Sequence, residues 1–289
     1  MTSSEWRTVT APLRDERGGQ SSGTTRVFRQ GAGTPVVLIH GVGMNASFWA
    51  PQLPHLSGYD VVAYDMWGHG QASLPPPDAR LSDYAAQLLG VMDSCGIAQA
   101  HIVGHSMGAL ISLEFALAHP ERALSVTPMN AVYRRTPEQR AAVLKRVDDL
   151  KAQKQADDSV TLSRWFGDPI PPEWTQRAEE ARKLLQEVNR VGYERTYRVF
   201  ATSDEAHAGR LAQLAVPAFF VTAEFDPNST PAMTRQMAAE VPGSRCEIIP
   251  GHRHMVTFTA AKDVSDRLIR FFNEVDKARR PEIRRAASH

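Results

Sequence analysis

Gly104-His105-Ser106-Met107-Gly108 decides how this chain is read. It follows the short apolar run Ala100-His101-Ile102-Val103. It precedes Ala109-Leu110-Ile111-Ser112-Leu113-Glu114-Phe115-Ala116-Leu117-Ala118, which is apolar and helix-forming. A buried strand, a sharp turn and a helix, in that order, give G-x-S-x-G its meaning. The turn is strained and lifts the serine hydroxyl to the top of a sheet. Its two glycines are needed because a Cβ would strike the neighbouring helix or strand. A serine hydroxyl alone is a weak nucleophile: it needs a base, and the base needs an acid to orient it.

On either side of this stretch, strands alternate with helices. Pro35-Val36-Val37-Leu38-Ile39 and Asp60-Val61-Val62-Ala63-Tyr64 read as strands buried on both faces. The first runs into His40-Gly41-Val42-Gly43, with Asn45 placed to cap the helix that carries Phe48 and Trp49. The second runs into Asp65-Met66-Trp67-Gly68-His69-Gly70. Residues 81–95 have helical periodicity, and residues 124–129 read as another strand. Before these, residues 6–10 and 24–28 alternate weakly, as edge strands do. Beyond residue 210 the alternation resumes, with strands over 216–221 and 245–249 and helices over 231–241 and 260–275. Such alternation implies βαβ units and a mostly parallel sheet.

Residues 131–210 have a different texture. Charged helical stretches over 136–154 and 173–189 flank the aromatic segment Arg164-Trp165-Phe166, and no buried parallel strand is apparent. We expect a core of residues 1–130 and 211–289 interrupted by a helical cap at 131–210. Residues 277–289 are basic and polar and read as a frayed, solvated tail.

Composition excludes several classes. A 42% hydrophobic and 22% charged chain of 289 residues can bury a sizeable core. A net charge of +1 gives no global field for nucleic acid or an anionic membrane. No signal peptide and no apolar stretch of about 18 residues is read. Cys95 and Cys246 lack metal-ligand spacing and read as reduced core thiols of a cytoplasmic protein. No metal and no cofactor is expected. The expected partner is a small-molecule substrate, neither nucleic acid nor membrane is expected, and a homodimer is left open.

The base should lie late in the chain on a loop after a strand. Pro250-Gly251-His252-Arg253-His254-Met255 offers two histidines. The acid should lie on an earlier loop, and Thr222-Ala223-Glu224-Phe225-Asp226 offers Glu224 or Asp226. Asn130, at the end of the preceding strand, is neutral and cannot serve as the acid. His69 and His105 read as structural hydrogen-bonders, His40 as a brace for its own loop, and Asp65 as the organiser of its turn.

With these elements in place, the chain resembles the α/β-hydrolase fold family over nearly all of its length outside the insertion. The carrying residues are His40-Gly41, Asp65-x-x-Gly68-x-Gly70, Gly104-x-Ser106-x-Gly108, Asp226 and the late His254. The resemblance implies that Ser106 is the nucleophile, His254 the base in preference to His252, and Asp226 the acid in preference to Glu224. It implies an oxyanion hole made by the backbone N–H groups of Met107 and Val42. A serine nucleophile argues against members that use aspartate there, the haloalkane dehalogenases and epoxide hydrolases, and makes ester, lactone or thioester cleavage the default. Carbon–carbon bond hydrolases of aromatic degradation are an alternative, lowered by Met44-Asn45-Ala46 and Met255 where those proteins carry small residues and a Trp. A hydrolase-like ligand receptor is the non-enzymatic alternative. Arg164-Trp165-Phe166, Gly192-Tyr193 and the arginines up to Arg198 are similar to caps of 3-oxoadipate enol-lactonases. On composition, the aromatics Trp165, Phe166, Trp174, Tyr193, Tyr197 and Phe200 are mainly core of the cap. Arg134, Arg135, Arg164, Arg190, Arg195 and Arg198 are candidates to hold a substrate carboxylate through bidentate bonds. Arg164, Trp165 and Phe166 are the expected substrate contacts.

Overall fold

Apolar runs of five to seven residues make the centre of the sheet in this computed structural model, which describes residues 4–15, 18–152 and 157–286. In chain order the elements are β1 (Glu5–Arg14), β2 (Gln20–Gln30), β3 (Pro35–Ile39), β4 (Asp60–Tyr64), α1 (Leu81–Ser94), β5 (Ala100–His105), α2 (Met107–Ala118) and β6 (Ala123–Met129). Four helices follow: α3 (Pro137–Lys151), α4 (Asp158–Phe166), α5 (Thr175–Glu187) and α6 (Arg190–Thr202). The chain returns to the sheet with β7 (Phe219–Ala223), α7 (Pro231–Ala239), β8 (Arg245–Ile249), α8 (Val256–Thr259) and α9 (Ala261–Ala286). The sheet order is β1-β2-β4-β3-β5-β6-β7-β8. Only the pairings of β2 with β1 and β4 are antiparallel.

Every residue of β4, β5, β6 and β7 is buried, as a strand covered on both faces requires. Alternate residues of β3 enter opposite cores: Val37 and Ile39 join α1, α2 and α7, while Val36 and Leu38 join α9. The result is an α/β fold with helices on both faces of a mostly parallel sheet.

Helices α3 to α6 lie between β6 and β7. Of these, α6 is fastened along its length. Gly192 sits so close to the turn after β4 that a Cβ on it would come within 2.1 Å of the Gly68 carbonyl. The Tyr84 and Thr196 hydroxyls are 2.8 Å apart, and Arg195 donates to the Pro75 carbonyl at 2.6 Å. Helix α3 packs on α6, and α4 packs on α5.

Several expectations need correction. The edge strands are a long hairpin, with Glu5 paired to Arg29 and Arg14 to Gln20. The strand expected from residue 216 begins at Phe219, because Pro217 has no N–H to give and offers only its carbonyl, to Val126 at 2.9 Å. The aromatic segment is helical, since Asp157 caps α4 by accepting from Ser159 N. Asn189 ends one expected helix by capping the next, α6. Lys154, the expected end of the first charged stretch, lies outside the described residues. The supposedly frayed tail is helical to Ala286, and residues 287–289 lie outside the described residues. Past Val275, Asp276 bonds Thr34 at 3.0 Å, and Arg279 bonds Gln99 at 2.7 Å. Cys95 is buried, but Cys246 is exposed on β8 and is no core thiol; neither is in a disulfide. Among the described residues, no helix is long and apolar enough to cross a membrane.

Candidate active site

Ser106 is the pivot between β5 and α2. Its φ of 56° is in the left-handed region that non-glycine residues rarely enter. This strain is held from both sides by backbone. A Cβ on Gly104 would lie 1.9 Å from the Gly108 carbonyl, and one on Gly108 would lie 2.2 Å from the Ile39 carbonyl. The Ser106 N–H is fixed to the Met129 carbonyl at 2.9 Å. Its hydroxyl has no hydrogen-bond partner among the described residues and faces a cavity of about 890 Å³ that His254 also lines.

The loop after β7 brings Asp226 to this place, and the loop after β8 brings His254. His254 Nδ1 is 2.8 Å from Asp226 Oδ2. Both residues are buried. Asp226 also accepts from the backbone N–H groups of Asn228 (2.8 Å) and Ser229 (3.1 Å) and from Asn130 Nδ2 (2.8 Å). Burial alone would push the Asp226 carboxyl up. His254, Asn130 and the Asn228 N–H outweigh it and hold the group below the usual carboxylate range. An ionised Asp226 accepts a hydrogen bond from His254 Nδ1–H, which leaves Nε2 as the ring's free acceptor. The two alternatives are engaged elsewhere. His252 bonds Thr259 at 2.8 Å and stacks on Trp174, and Glu224 accepts from Gly251 N at 2.9 Å.

Two buried histidines shape the loop after β3. His40 Nε2 accepts from Met66 N at 3.0 Å, so its Nδ1–H donates to the Gly41 carbonyl at 2.8 Å. His69 Nε2 accepts from Gly43 N at 3.0 Å. Burial lowers these imidazoles to about 4 and about 3, respectively, so both are neutral and can accept. They engage the groups on either side of Val42 and leave its N–H unpartnered among the described residues, beside the cavity. Met107 is the first residue of α2, where an amide has no partner within the helix. Asp65 orders its own turn, accepting from Gln71 N at 2.9 Å, and also ties that turn to Ala46 N at 2.8 Å. His105 Nε2 donates to the His254 carbonyl at 2.9 Å, joining the serine turn to the histidine loop.

The inserted helices supply the other wall. Arg164 and Trp165 line the cavity, with the Trp165 ring 6.2 Å from that of His254. Phe166 does not. It is fully buried in one cluster with Leu162, Ala178 and Ala181, because the helical turn of α4 points it opposite to its neighbours. Most of the candidate arginines are engaged elsewhere. Arg134 pairs with Glu240, Arg195 and Arg198 donate to the Pro75 and Pro77 carbonyls, and Arg190 is exposed. Arg135 reaches the cavity lining but is held by the buried Asp204 at 3.3 Å.

The sequence reading missed Arg146, which lines the cavity beside Tyr193. Its signal was present: Gln139, Ala142, Val143 and Arg146 share one face of α3 by helical spacing, and all line the cavity. Tyr193 and Tyr197 also line it rather than filling core alone. Among the described residues, no three His, Cys, Asp or Glu side chains are grouped to hold a metal.

These features have parallels in known proteins. The α/β hydrolase fold family model matches residues 34–261. The chain is 38% identical to (E)-2-((N-methylformamido)methylene)succinate hydrolase of Acinetobacter baylyi, over 84% of this chain and 91% of that one. It is 27% identical to 3-oxoadipate enol-lactonase 1 of the same organism, over 74% and 79%. The structure of the enol-lactonase from Burkholderia xenovorans LB400 superposes with a TM-score of 0.74 at 23% identity, covering 94% of this chain and 97% of that one. With a family match over most of its length and a hydrolase as a near full-length relative, the chain belongs to the α/β-hydrolase fold family and is a hydrolase.

Proposed function

We propose that the chain is a serine hydrolase of small carboxylate-bearing esters or lactones, acting through Ser106, His254 and Asp226. The observation that carries this reading is one cavity faced by the strained Ser106 and by the His254–Asp226 pair on one side, and by arginines on the other. Ser106 Oγ attacks the carbonyl carbon as His254 Nε2 takes its proton. Asp226 stabilises the imidazolium so formed. The Val42 and Met107 N–H groups receive the oxyanion, a contribution of about 2.7–4 kcal/mol per donor in comparable enzymes. The imidazolium then protonates the leaving group, and water, activated by the same imidazole, releases the acyl group and regenerates Ser106.

Arg146 and Arg164 are the carboxylate anchors in this reading. They line the cavity, whereas Arg135 is neutralised by Asp204. A methylene-succinate carries two carboxylates, and the name of the Acinetobacter baylyi relative extends the leaving groups to be tested from oxygen to an acylated nitrogen. The carbon–carbon hydrolase and receptor readings gain no specific support from the described residues. The unpaired Cys95 and Cys246 support a reducing, cytoplasmic setting as part of the proposal.

The test is side-by-side hydrolysis of short p-nitrophenyl esters and of carboxylated esters of equal size by wild type and Ser106→Ala. Activity of the wild type on the carboxylated series, abolished in the variant, is expected. Activity that survives in Ser106→Ala overturns the assignment of the nucleophile.

A further inference from the structure

The four donors around Asp226 are not equivalent. Oδ1 takes two backbone N–H groups, which the loop supplies whatever its side chains. Oδ2 takes His254 Nδ1 and one side-chain amide, that of Asn130, each at 2.8 Å. Asn130 is fully buried at the end of β6 with φ 52°, a conformation that Asn adopts more readily than most residues. Its Nδ2 spans Asp226 Oδ2 and Thr222 Oγ1 (3.3 Å), and Thr222 itself donates to the Ser229 carbonyl at 2.7 Å. The other end of the amide, Oδ1, has no partner among the described residues. The amide cannot be turned over, because Oδ1 would then face a carboxylate oxygen at that distance. A buried acceptor without a partner costs stability, so this residue is maintained against a penalty.

We propose that Asn130 is a positioning residue of the Ser106–His254–Asp226 system. It fixes Asp226 Oδ2 for His254 and disperses the negative charge there, so that the imidazole is oriented without being trapped as imidazolium. The proposal rests on the triad reading above.

The sign of its effect is set by charge. With the Asn130 donor removed, Oδ2 is compensated by His254 alone, which favours the protonated ring. The titration of His254 therefore moves to higher pH. Asn130→Asp keeps the shape but replaces a donor by a second negative charge, so the move is larger. The other titratable or charged groups around the pair are left intact by these variants. His105 from β5 and His40 from the loop after β3 are buried and neutral. Arg164 comes from α4, and the histidine loop adds His252 and Arg253, which turn toward Thr259 and Gly167.

The experiment is a ring titration of His254 by ¹H–¹⁵N NMR in the whole protein, which needs no substrate, combined with kcat and KM on the best ester found. Asn130→Gly keeps the backbone conformation accessible. In it, the His254 midpoint should rise by about half a unit, and in Asn130→Asp by about one unit or more. In Asn130→Gly kcat should fall roughly 10- to 100-fold, the equivalent of one hydrogen bond to a charged group, with KM nearly unchanged. Midpoints equal to wild type in both folded variants would overturn the proposal. Asp226→Asn separates the two readings. If it lowers the His254 midpoint while both Asn130 variants leave it unmoved, the triad stands and the role of Asn130 falls. If it too leaves the midpoint unmoved, the pairing itself is wrong and both readings fall.

Discussion

The two walls of the cavity are built by opposite means. On the sheet side, the candidate reacting groups sit at strand ends and are locked in place: the serine turn by the close backbone at Gly104 and Gly108, Asp226 by two amides, the Val42 loop by the buried imidazoles of His40 and His69. On the helical side, Arg164 is exposed and Arg146 half-buried, each on a helix that packs on other inserted helices. Chemistry demands placement within a fraction of an ångström, which buried strand ends provide. Recognition of a charged substrate tolerates longer, softer side chains that remain hydrated until the ligand arrives. Substitutions on the sheet side should therefore abolish the reaction, whereas those on the helical side should re-rank substrates.

The comparison can be broken most sharply at Ser106. Ser106→Ala should lower kcat by about 10⁴ or more with the fold intact, measured as ester hydrolysis beside a thermal melt. Next comes the acid. Asp226→Asn should cost about 10³–10⁴ in kcat, because the imidazole loses the partner that sets its tautomer. Glu224→Gln, two residues away, removes a charge but keeps an acceptor for the Gly251 N–H, and should change kcat less than about twofold. Equal effects at the two positions would show that the acid is misassigned. On the helical wall, Arg146→Ala and Arg164→Ala should each raise KM for a carboxylated ester about 10- to 100-fold, as loss of a charge-assisted bond does. Neutral esters of the same size should be unaffected, and parallel losses on both series would mean that the helices shape the cavity without reading charge.

The gentlest test concerns acid. His40, His69 and His105 are buried and neutral, lowered to about 4, 3 and 3, against about 6.5 in an unfolded chain. Between those values the unfolded chain binds more protons. Stability is then greatest above pH ~6.5 and is lost as pH falls toward about 4, at roughly 1.4 kcal/mol per pH unit for each proton taken up. Denaturant midpoints measured from pH 7.5 to 4.5 should decline with a slope above that of one proton, and a flat profile would show that these loops are not the rigid side of the cavity.

The legibility of the two walls in the sequence differs for the same reason. Strand–turn–helix order and glycines that admit no Cβ are local, so Ser106, the His40 loop and the Asp226 and His254 loops could be located from spacing and family resemblance. The arginines could not be sorted in that way. Arg134, Arg195 and Arg198 look as suitable as Arg164 on paper, and only packing assigns them to Glu240 and to the carbonyls of Pro75 and Pro77. Phe166 and Trp165 are adjacent in sequence, yet one helical step sends the first into the core and the second to the cavity. Asn130, set aside as uncharged, bonds the same Asp226 oxygen as His254.

By itself, then, the sequence determined an alternating α/β chain, its strained serine turn and the order of its candidate reacting residues, because hydrophobic period and glycine sterics act over a few residues. Only the tertiary structure decided which arginines face the cavity, that Asn130 shares an oxygen with His254, and that α6 is fastened to the turn after β4 and to α1 while α3 packs on α6 and α4 on α5. Those outcomes depend on contacts between residues tens to hundreds of positions apart, and local pattern carries no record of such distances.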